Sequence, residues 1–572
     1  MYILGIWDGH DAGAALIRDN EIIFASNEER YTNRKLEIEF PFNSIKAALA
    51  YANIKPKDID VVAFPTIDFT KTVSRIFPYQ KEKYYKLRRR KLSNKGIEGI
   101  MLKTRGFQYR LKYITNTIGI LPLCKTISTI AVKRALKHLG FEKVRIVVVN
   151  HHVAHASTAA FASNFNRALI VTLDGYGDGL SGTVSILENK ELKKEIEIKA
   201  RDSIGILYEQ VTNLVGMREL EDEGKVMAMA DYSYPFDFEN NKLKDFIKVD
   251  GTKIIARYNP VRQYGILSDI AWATPREQMA YYAQQLLEVN LTKFFKNIIE
   301  RYKINDIAMS GGLFSNVKAN RKIRLLDEVN NWFVFPHMGD GGIAMGSAMY
   351  ANYLINGITS YKFDNIYFGD EFSNEEIAKT IKAYDNIEFN EISDKAKAAS
   401  DIILNDQYLF WFQGRMEYGP RALGNRSILA PAYSDNARDL LNLYVKQREW
   451  YQPFAPSILK EDAERIIEDM KGYDKFMTMA YKIKDELKNE MKSVIHVDNT
   501  IRPQMVGDEN PSYRDLLKEI KKKRGYGIVL NTSFNIHGMP IVRTPKEAIE
   551  TMKKTKTKFM IIGDYLVENK GI

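Results

Sequence analysis

The sequence predicts an α/β protein, with some α+β character, that folds into two domains. Apolar segments of strand length alternate with segments of helical periodicity along the 572 residues, which is typical of sheets covered by helices. A chain of this length exceeds what one compact core usually holds. Hydrophobic residues make up 45% and charged residues 27%, which is the composition of an ordinary globular protein.

The N-terminal part opens with three predicted strands joined by tight turns. These strands, at residues 3–7, 14–17 and 21–26, are separated by an Asp-Gly turn and an Asp-Asn turn. A related pattern returns at 169–187, where an apolar strand again ends in Asp-Gly and is followed by an Asp, a Gly and another strand. Such a repeat indicates two related halves. A β-hairpin repeated in two halves around a nucleotide cleft is the pattern of actin-like ATPase domains.

Helical periodicity fills the spaces between these strands, at residues 43–53, 126–139, 276–301 and 341–355. We expect a domain boundary at Asn356-Gly357, directly after the last of these helices. A new α/β unit then begins, with a predicted helix at 374–384 and a strand at 408–412. The sequence therefore predicts domains at 1–357 and 358–572, with no low-complexity linker between them.

Composition and charge narrow the classes of function. Cys124 is the only cysteine, which excludes an intramolecular disulfide and a cysteine-based metal cluster. Neither a signal peptide nor a run of about 18 apolar residues is found, so we expect a cytoplasmic protein with no membrane partner. The net charge of +11 comes mainly from residues 81–112, which contain twelve basic and two acidic residues. We interpret this segment as a solvated basic insertion, since a nucleic-acid enzyme would more often spread its cations over a binding face.

Three of the eight histidines fall within five residues, at His151, His152 and His155. A helix would place His151 and His155 on one face, where two imidazoles can bind one metal ion. Asp174 ends an apolar strand, and Asp340 lies in a Gly-rich turn. Two His and two Asp suit Fe(II), Mn(II) or Zn(II). The alternative is an ordinary helix start and two turn residues.

Two Gly-rich junctions between a strand and a helix predict a nucleotide site. Gly311 and Gly312 follow the strand at 307–309 and precede Asn316, and residues 339–346 repeat the arrangement. Glycines at such a junction let the backbone approach a phosphate group, although two tight turns would have the same pattern. Neither segment matches a Walker A or a G-x-G-x-x-G motif, which argues against P-loop and Rossmann folds.

The densest chemical signal lies at residues 414–427, where three arginines, three glycines and a proline follow a strand. Arginine offers a planar fork to phosphate oxygens, so this segment predicts phosphate recognition. Cations, amides and hydroxyls beside apolar anchors follow at 446–457, 502–504 and 531–535. Such groups can hold a triphosphate and a small planar acyl donor.

Together these segments resemble the O-carbamoyltransferase family, which includes nodulation-factor carbamoyltransferases and those of the antibiotics tobramycin and cephamycin. The matching segments keep the family's order from residue 3 to about 567, and the arginine loop and Asn531 to Asn535 are the most specific. The resemblance rests on residues 3–6, 9–11, 151–156, 174–175, 224–227, 310–312, 414–427, 453–457, 502–504 and 531–535.

The resemblance implies a fold and a reaction for each domain. The N-terminal domain would be actin-like and similar to threonylcarbamoyl-transfer proteins, and the C-terminal domain would be similar to the fold that makes threonylcarbamoyl adenylate. Carbamoyl phosphate and ATP, with Mg(II), would give carbamoyl adenylate in the C-terminal domain. The N-terminal domain would then transfer the carbamoyl group to a hydroxyl of a small-molecule acceptor, with AMP as the leaving group. The family also suggests a homodimer.

The resemblance also implies roles for individual residues. His151, His155, Asp174 and Asp340 would hold an Fe(II)-type ion. His10, Arg421 and Lys446 would be catalytic, with His10 orienting or deprotonating the acceptor hydroxyl; as a turn residue, it would have neither role. Lys446, Arg448 and Arg502 would bind carbamoyl phosphate. The implied nucleotide contacts are Lys225, Gly311, Gly312, Asn316, Arg415, Arg421, Arg426, Asn531 and Ser533.

Two departures from the family pattern leave the acceptor open. Gln452 stands where the family usually has a basic residue, and the basic segment 81–112 looks like an insertion able to cover the acceptor site. The sequence also leaves three other functions open. They are carbamoyl-type modification of transfer RNA with the same folds, an actin-like sugar kinase that forms ADP, and a metal-stabilised nucleotide sensor without turnover.

Overall fold

A computed structural model describes residues 1–88 and 121–571, which form two compact units. The first unit comprises Met1–Glu28 and Glu37–Lys362, and the second comprises Glu29–Leu36 and the chain from Phe363 onward. This division falls a few residues after the predicted boundary at 357. It also differs from the prediction at residues 29–36, which belong to the second unit although they lie near the N-terminus.

The first unit begins with a five-stranded sheet in the order β3-β2-β1-β4-β5. Strands β1 to β3 form an antiparallel meander, and β4 and β5 extend the sheet in parallel with β1. The bounds of these strands are β1 (Tyr2–Trp7), β2 (Gly13–Arg18), β3 (Glu21–Asn27), β4 (Val61–Pro65) and β5 (Arg145–Val149).

A second five-stranded sheet in the same unit has the order β8-β7-β6-β11-β12, and β9 and β10 form a separate hairpin. It again starts as an antiparallel meander, β6 to β8, and continues with two strands parallel to β6. The equal topology confirms the two duplicated halves and the actin-like fold. The strands are β6 (Ala168–Gly177), β7 (Leu180–Glu188), β8 (Glu191–Lys199), β9 (Ile247–Asp250), β10 (Lys253–Ala256), β11 (Ile307–Ser310) and β12 (Trp332–Val334).

Helices pack on both sheets of the first unit. They are α1 (Phe42–Tyr51), α2 (Phe69–Ile76), α3 (Pro78–Arg88), α4 (Leu121–Lys137), α5 (His151–Ala162), α6 (Ile204–Leu214), α7 (Glu223–Met229), α8 (Pro260–Trp272), α9 (Arg276–Tyr302), α10 (Val317–Arg324) and α11 (Ile343–Asn356). Helix α11 contacts β1, β4 and α5. Small residues allow this approach, because a Cβ atom on Gly5 would lie 1.9 Å from the carbonyl oxygen of Ala344.

The second unit is built on an eight-stranded mixed sheet in the order β13-β22-β21-β14-β15-β20-β16-β19, with β17 and β18 as a separate ribbon. Its strands are β13 (Ile387–Glu391), β14 (Leu409–Phe412), β15 (Arg426–Ala430), β16 (Ala455–Leu459), β17 (Tyr481–Lys482), β18 (Thr500–Ile501), β19 (Gln504–Val506), β20 (Ile528–Ser533), β21 (Phe559–Ile562) and β22 (Tyr565–Asn569).

Four longer helices and several single turns complete the second unit. A core of Trp411, Leu429, Tyr513 and their neighbours holds α13 and α14 on the sheet. The helices are α12 (Asn374–Ile381), α13 (Lys395–Leu404), α14 (Pro511–Arg524) and α15 (Pro545–Lys554), with short turns at Glu29–Thr32, Ala437–Leu440 and Ala463–Ile466 and a π-helix at Leu441–Lys446.

Most predicted elements lie within a few residues of those in the structure. The predicted helix at 126–139 begins earlier, at Leu121, and the one predicted at 374–384 ends at Ile381. Residues 81–88 of the basic segment belong to α3, and its remaining residues, 89–112, lie outside the described part of the chain. Among the helices that the structure describes, none is long and apolar enough to cross a membrane.

Candidate functional site

Elements from both halves of the first unit bring the four predicted metal ligands together. Helix α5 starts at His151 because the side chain of Asn150 accepts hydrogen bonds from the first free backbone N–H groups, including that of His152 at 3.0 Å. The same helix places His155 one turn later. Asp174 comes from β6, and Asp340 lies in the turn before α11.

The candidate ligand atoms of this cluster lie within 4.8 Å of one another. His151 Nε2 is 3.3 Å from Asp174 Oδ2 and 3.6 Å from Asp340 Oδ1. His155 Nε2 is 3.5 Å from the same Asp340 oxygen. The two imidazoles and two carboxylates therefore face a common point.

The surroundings of the cluster fit a bound metal ion. His155 Nε2 and Asp340 Oδ1 are buried and have no hydrogen-bond partner among the residues described. The Nδ1 atoms are engaged elsewhere, since that of His151 lies 3.1 Å from Thr66 Oγ1 and that of His155 lies 3.2 Å from Ser310 Oγ. Such outer hydrogen bonds orient ligating histidines. A divalent ion that accepts nitrogen and oxygen ligands would bind the two atoms that lack a hydrogen-bond partner.

The two carboxylates of the cluster favour the presence of one positive charge. Burial disfavours the charged imidazole, but Asp340 and Asp174 outweigh it and raise the pKa of His151 to about 9. Burial and the neighbouring His151 lower the pKa of His155 to about 3. Burial and Asp174 raise the pKa of Asp340 to about 6. The two carboxylates thus attract positive charge, which a proton on His151 or a metal ion can supply.

The Gly-rich junction after β11 holds Asp174 in place. Gly311 has a φ angle of +116°, and a Cβ atom there would lie 2.1 Å from the carbonyl oxygen of Leu173. The backbone N–H of Gly312 donates to Asp174 Oδ1 at 3.0 Å. Both glycines therefore help to position Asp174 in the candidate metal site, and their contact with a nucleotide stays a prediction.

Two other predicted nucleotide contacts of the first unit have partners within the protein. Asn316 caps α10 by accepting from the N–H of Ala319 at 3.0 Å, and its amide donates to Gln284 at 2.7 Å. Lys225 forms an ion pair with Asp222 at 3.1 Å. Their roles in nucleotide binding stay predictions.

His10 adjoins the metal cluster. Its Nδ1 lies 3.4 Å from Asp340 Oδ2, and its ring centroid lies 6.0 Å from that of Tyr85. Its carbonyl oxygen accepts a hydrogen bond from the Trp7 indole at 2.8 Å. The imidazole is therefore fixed beside the candidate metal site, where it can take a proton from a bound hydroxyl.

In the second unit, the arginine loop between β14 and β15 is organised by Glu417. One oxygen of this buried carboxylate accepts hydrogen bonds from the backbone N–H groups of Leu423, Asn425 and Arg426, at 2.8, 2.9 and 3.1 Å. No pattern in the sequence marks Glu417 for this role, although it lies inside the predicted loop. Its carboxylate fixes the path of the chain around Arg421.

Two of the three loop arginines hold the loop itself. Arg426 is fully buried, donates to four backbone carbonyl groups and lies 3.6 Å from the ring centroid of Phe412. Arg415 donates to the carbonyl oxygens of Phe368 and Gly369. These contacts give both arginines a structural role, and their contact with a nucleotide stays a prediction.

Three other predicted cations of the second unit, Arg421, Arg448 and Arg502, are half-buried and lie close enough for their charges to interact. Burial, together with Arg421 and Arg448, lowers the pKa of Arg502 well below its usual value. Burial lowers the pKa of Arg421 to about 10, with Asp474 opposing the shift. The Nε atoms of Arg421 and Arg502 have no hydrogen-bond partner in the described part of the chain. Close, incompletely paired guanidinium groups are suited to bind a phosphate.

Lys446 is anchored on the chain after β20. Its ammonium donates to Ser533 Oγ at 3.0 Å and to Asn535 Oδ1 at 2.6 Å. Burial, Arg448 and Lys35 together lower its pKa well below the usual value. Lys35 belongs to Glu29–Leu36, so this N-terminal segment adds a charge that the sequence analysis missed.

Three further positions complete the description of the predicted donor site. Asn531 donates to Ser457 Oγ at 3.0 Å, while its own amide oxygen has no partner among the residues described. Arg448 donates to Asn442 at 2.7 Å. Gln452, which departs from the family pattern, pairs with Glu449.

Asp474 is a third residue that could not be found from the sequence. Its carboxylate is buried and accepts hydrogen bonds from the backbone N–H groups of Phe476, Thr478 and Met479. It is also the negative charge that opposes the pKa shifts of Arg421 and Arg502. No local motif marks Asp474 or Lys35, because only the folded chain brings them to these cations.

Family models match both parts of the chain. A model described as the carbamoyltransferase N-terminus matches residues 2–349, and one described as the carbamoyltransferase C-terminus matches residues 400–569. The first match covers nearly all of the first unit, and the second covers most of the second unit.

Similar proteins extend this match over the full length. A protein of Methanocaldococcus jannaschii is 31% identical, with 99% of both chains covered. The nodulation protein NolNO of Sinorhizobium fredii is 29% identical over 98% of this chain and 79% of its own. A 3'-hydroxymethylcephem-O-carbamoyltransferase of Streptomyces clavuligerus is 29% identical over 61% of this chain and 65% of its own.

Solved structures are more distant. Full-length HypF in its phosphate- and nucleotide-bound form aligns with 63% of this chain and 56% of its own, at 13% identity and a TM-score of 0.33. That score is too low to carry a conclusion.

Proposed function

This chain belongs to the carbamoyltransferase family, and we propose that it is an ATP-dependent O-carbamoyltransferase acting on a hydroxyl of a small molecule. The proposal rests on the observation that this member of the family has two candidate sites, one in each unit. The first unit holds a four-ligand cluster beside His10, and the second holds a cluster of incompletely paired arginines. The similar cephem enzyme, named as an O-carbamoyltransferase, supports a hydroxyl acceptor.

The donor step belongs to the second unit. Water first releases carbamate and inorganic phosphate from carbamoyl phosphate. A carbamate oxygen then bonds to the α-phosphorus of ATP, supplied with Mg(II), and the α–β anhydride bond breaks to give carbamoyl adenylate and pyrophosphate. Arg421, Arg448 and Arg502 would offset the charge of the approaching phosphates, and Lys446 would hold the carbamate end.

The transfer step belongs to the first unit. The acceptor hydroxyl oxygen bonds to the carbamoyl carbon, the bond from that carbon to AMP breaks, and AMP leaves with the bonding electrons. His10 would take the hydroxyl proton, since it lies beside Asp340 at the edge of the cluster. A divalent ion, which we propose to be Fe(II), would be held by His151, His155, Asp174 and Asp340 and would supply Lewis-acid charge to the adenylate phosphate.

Activation as an adenylate is needed because the nitrogen of a carbamoyl group donates electrons into its carbonyl and makes it a poor electrophile. A phosphate leaving group offsets this effect. An adenylate of this kind also reacts with water, so transfer is efficient only where water is kept away from it. The buried histidines of the first unit and the half-buried arginines of the second limit the access of water to the two sites.

The decisive experiment follows the donor step without any acceptor. The protein is incubated with ATP, Mg(II), Fe(II) and radiolabelled carbamoyl phosphate, and pyrophosphate and labelled carbamoyl adenylate are measured. Both products are expected from the unchanged protein and from the control variant Arg438→Ala, whose arginine pairs with Asp439 on the surface. Neither is expected from Arg421→Ala.

Two results would contradict the proposal. Formation of ADP without labelled adenylate would favour the sugar kinase. Binding of labelled transfer RNA with a steep dependence on salt, together with no activity on small hydroxyl compounds, would favour modification of transfer RNA.

A further inference from the structure

A second cluster of charge lies beside His10 and has no part in the steps proposed above. Asp8 follows β1, is buried and faces three cations. The ammonium of Lys71 lies 2.9 Å from its Oδ1, and Nε and Nη2 of Arg75 lie 2.9 and 3.0 Å from its two carboxylate oxygens. The ammonium of Lys81 donates to its main-chain carbonyl oxygen.

Two of the three cations of this cluster are held inside the protein. The side chains of Lys71 and Arg75 are only 8% and 3% exposed. The Lys71 ammonium lies 4.4 Å from the centroid of the Trp7 ring, and apart from its ion pair with Asp8 it makes no directed hydrogen bond to a described residue. Burying a charged lysine in this way is costly unless its donors find acceptors.

Positive charge is in excess at this place. One carboxylate faces three cations, and Glu37 and Glu39 add a weaker attraction that reaches Lys81. Burial, with repulsion from Lys81 and Arg75, lowers the pKa of Lys71 well below its usual value in spite of Asp8. Burial is likewise the main cause that lowers the pKa of Lys81 to about 8. An anion bound here would relieve both effects.

The cluster lies next to the atoms at which transfer would take place. Lys81 and Tyr85 are one turn apart on α3, and the first contacts Asp8 while the ring of the second lies 6.0 Å from that of His10. Helix α3 therefore covers the loop that joins Asp8 to His10. Lys71 and Arg75 approach the same loop from α2.

Arg75 holds Asp8 in place, because its remaining donors bind the carbonyl oxygens of Pro65 and Thr66. We propose that Lys71 and Lys81, with the positive charge of Arg75 beside them, bind an anionic group of the acceptor, a phosphate or a carboxylate, and so select a negatively charged hydroxyl compound. The inference rests on the proposed function, because it specifies the acceptor of that reaction. A phosphate here could also come from the adenylate donor. The acceptor is favoured because all three cations come from the first half, on the Asp8 side of His10, whereas the Gly-rich junction at Asp174 comes from the second half.

Titration calorimetry with the full chain tests the inference. The probes are glycerol 3-phosphate, sulfate and uncharged glycerol. Glycerol 3-phosphate and sulfate are expected to bind the unchanged protein, with glycerol much weaker. Lys81→Gln and Lys71→Gln should each raise the Kd of glycerol 3-phosphate about tenfold or more. Lys83→Gln, an exposed change on the same helix, should leave it unchanged.

Two further measurements, AMP binding and pyrophosphate formation, show whether the cluster binds the phosphate of the acceptor or that of the adenylate. They also allow the inference to fail independently of the proposed function. AMP binding and the formation of pyrophosphate should be the same in Lys81→Gln as in the unchanged protein. Weaker AMP binding with unchanged binding of glycerol 3-phosphate would overturn the inference, as would equal binding of glycerol 3-phosphate by all the variants. Lys81 is partly exposed, so its variant is expected to keep the fold, which a melting curve checks. Failure of the donor step in the unchanged protein would refute the proposed function alone, since binding of the probes is measured without ATP.

Discussion

Asp340 is the residue on which the contacts of the first site converge. Its two carboxylate oxygens lie within 3.4–3.6 Å of nitrogen atoms of His10, His151 and His155. This single side chain therefore links the candidate base to the candidate metal ligands. A change at Asp340 should act on both the ion and the proton transfer.

We expect Asp340→Asn to reduce the metal content of the purified protein by about tenfold or more, because the variant lacks a charged oxygen ligand. Metal analysis after reconstitution with Fe(II) measures the effect. Asp564→Asn, in the second unit, removes an aspartate that pairs with Lys395 and should leave the metal content unchanged. An equal metal content in both variants would rule out the assigned ligand set.

Glu223 gives a pH dependence of stability. Burial, with Glu209 and Asp222, raises its pKa to about 8, from about 4.5 in an unfolded chain. The folded state thus binds the proton more tightly, so this group's contribution to stability is complete below pH 4.5 and is lost as the pH rises to about 8. Glu223→Gln avoids that loss.

Glu223→Gln should therefore raise the free energy of unfolding at pH 8.5 by about 1–3 kcal/mol relative to the unchanged protein, and have little effect at pH 4.5. Denaturant titrations at the two pH values measure this difference. A stabilisation that is equal at both values would show that Glu223 has the same pKa in the folded and the unfolded protein.

At the scale of elements, helix α5 carries two of the candidate ligands, and its start depends on Asn150. Asn150→Ala should destabilise the protein by about 1 kcal/mol, the usual effect of losing an N-cap, and should also weaken metal binding, because His151 is the first residue of the helix. Ser373→Ala removes a comparable cap from α12 in the second unit. Ser373→Ala should lower the free energy of unfolding by a similar amount and leave metal binding unchanged.

Calorimetric titration with Fe(II) under anaerobic conditions separates the two effects. If Asn150→Ala lowers the melting temperature but binds the metal as the unchanged protein does, the cap supports the helix without setting the position of His151.

Helices and strands can be predicted well from the sequence where one face of the element is apolar. They are predicted poorly where charged side chains occupy most positions. Strands β1 to β3 and helices α9 and α11 were predicted within a few residues. Strand β8 (Glu191–Lys199) was missed, because charged side chains occupy most of its positions and only its pairing with β7 defines it. Alternating charges give no signal of an apolar core.

At the scale of the molecule, α11 connects the two halves of the first unit, and it does so through close backbone contacts. A Cβ atom on Gly346 would lie 2.0 Å from the carbonyl oxygen of Ala154 in α5. Gly346→Ala should therefore destabilise the protein by about 1–3 kcal/mol, as overpacking usually does. Gly265→Ala, in α8, is the matched control, because a Cβ atom there has nothing within 4 Å. It should be neutral or slightly stabilising.

Denaturant unfolding measures both glycine variants. Equal stability of Gly346→Ala and Gly265→Ala would mean that α11 can move away from α5 at little cost. The two helices would then not fix the separation of Asp340 from His155.

The candidate site could be predicted where its residues stand in short motifs, such as His151 with His155 or the loop at 414–427. The partners of those residues could not be predicted. Lys35, Asp474 and the cations around Asp8 are single residues distant in sequence, and only the fold brings them to their sites. Nor could the sequence tell that Arg426 holds its own loop, because a buried arginine and a phosphate-binding one have the same local pattern.

The equal topology of the two halves gives Asp8 and Asp174 corresponding places, each directly after the apolar stretch of the first strand of its sheet. Lysine and arginine surround the first carboxylate, and histidines surround the second. The two copies thus differ in the charges around one equivalent carboxylate, with fixed cations in the first copy and imidazoles, which can also bind a metal ion, in the second. Substitutions around Asp8 can therefore change the charge at the first carboxylate while the histidines at the second are kept.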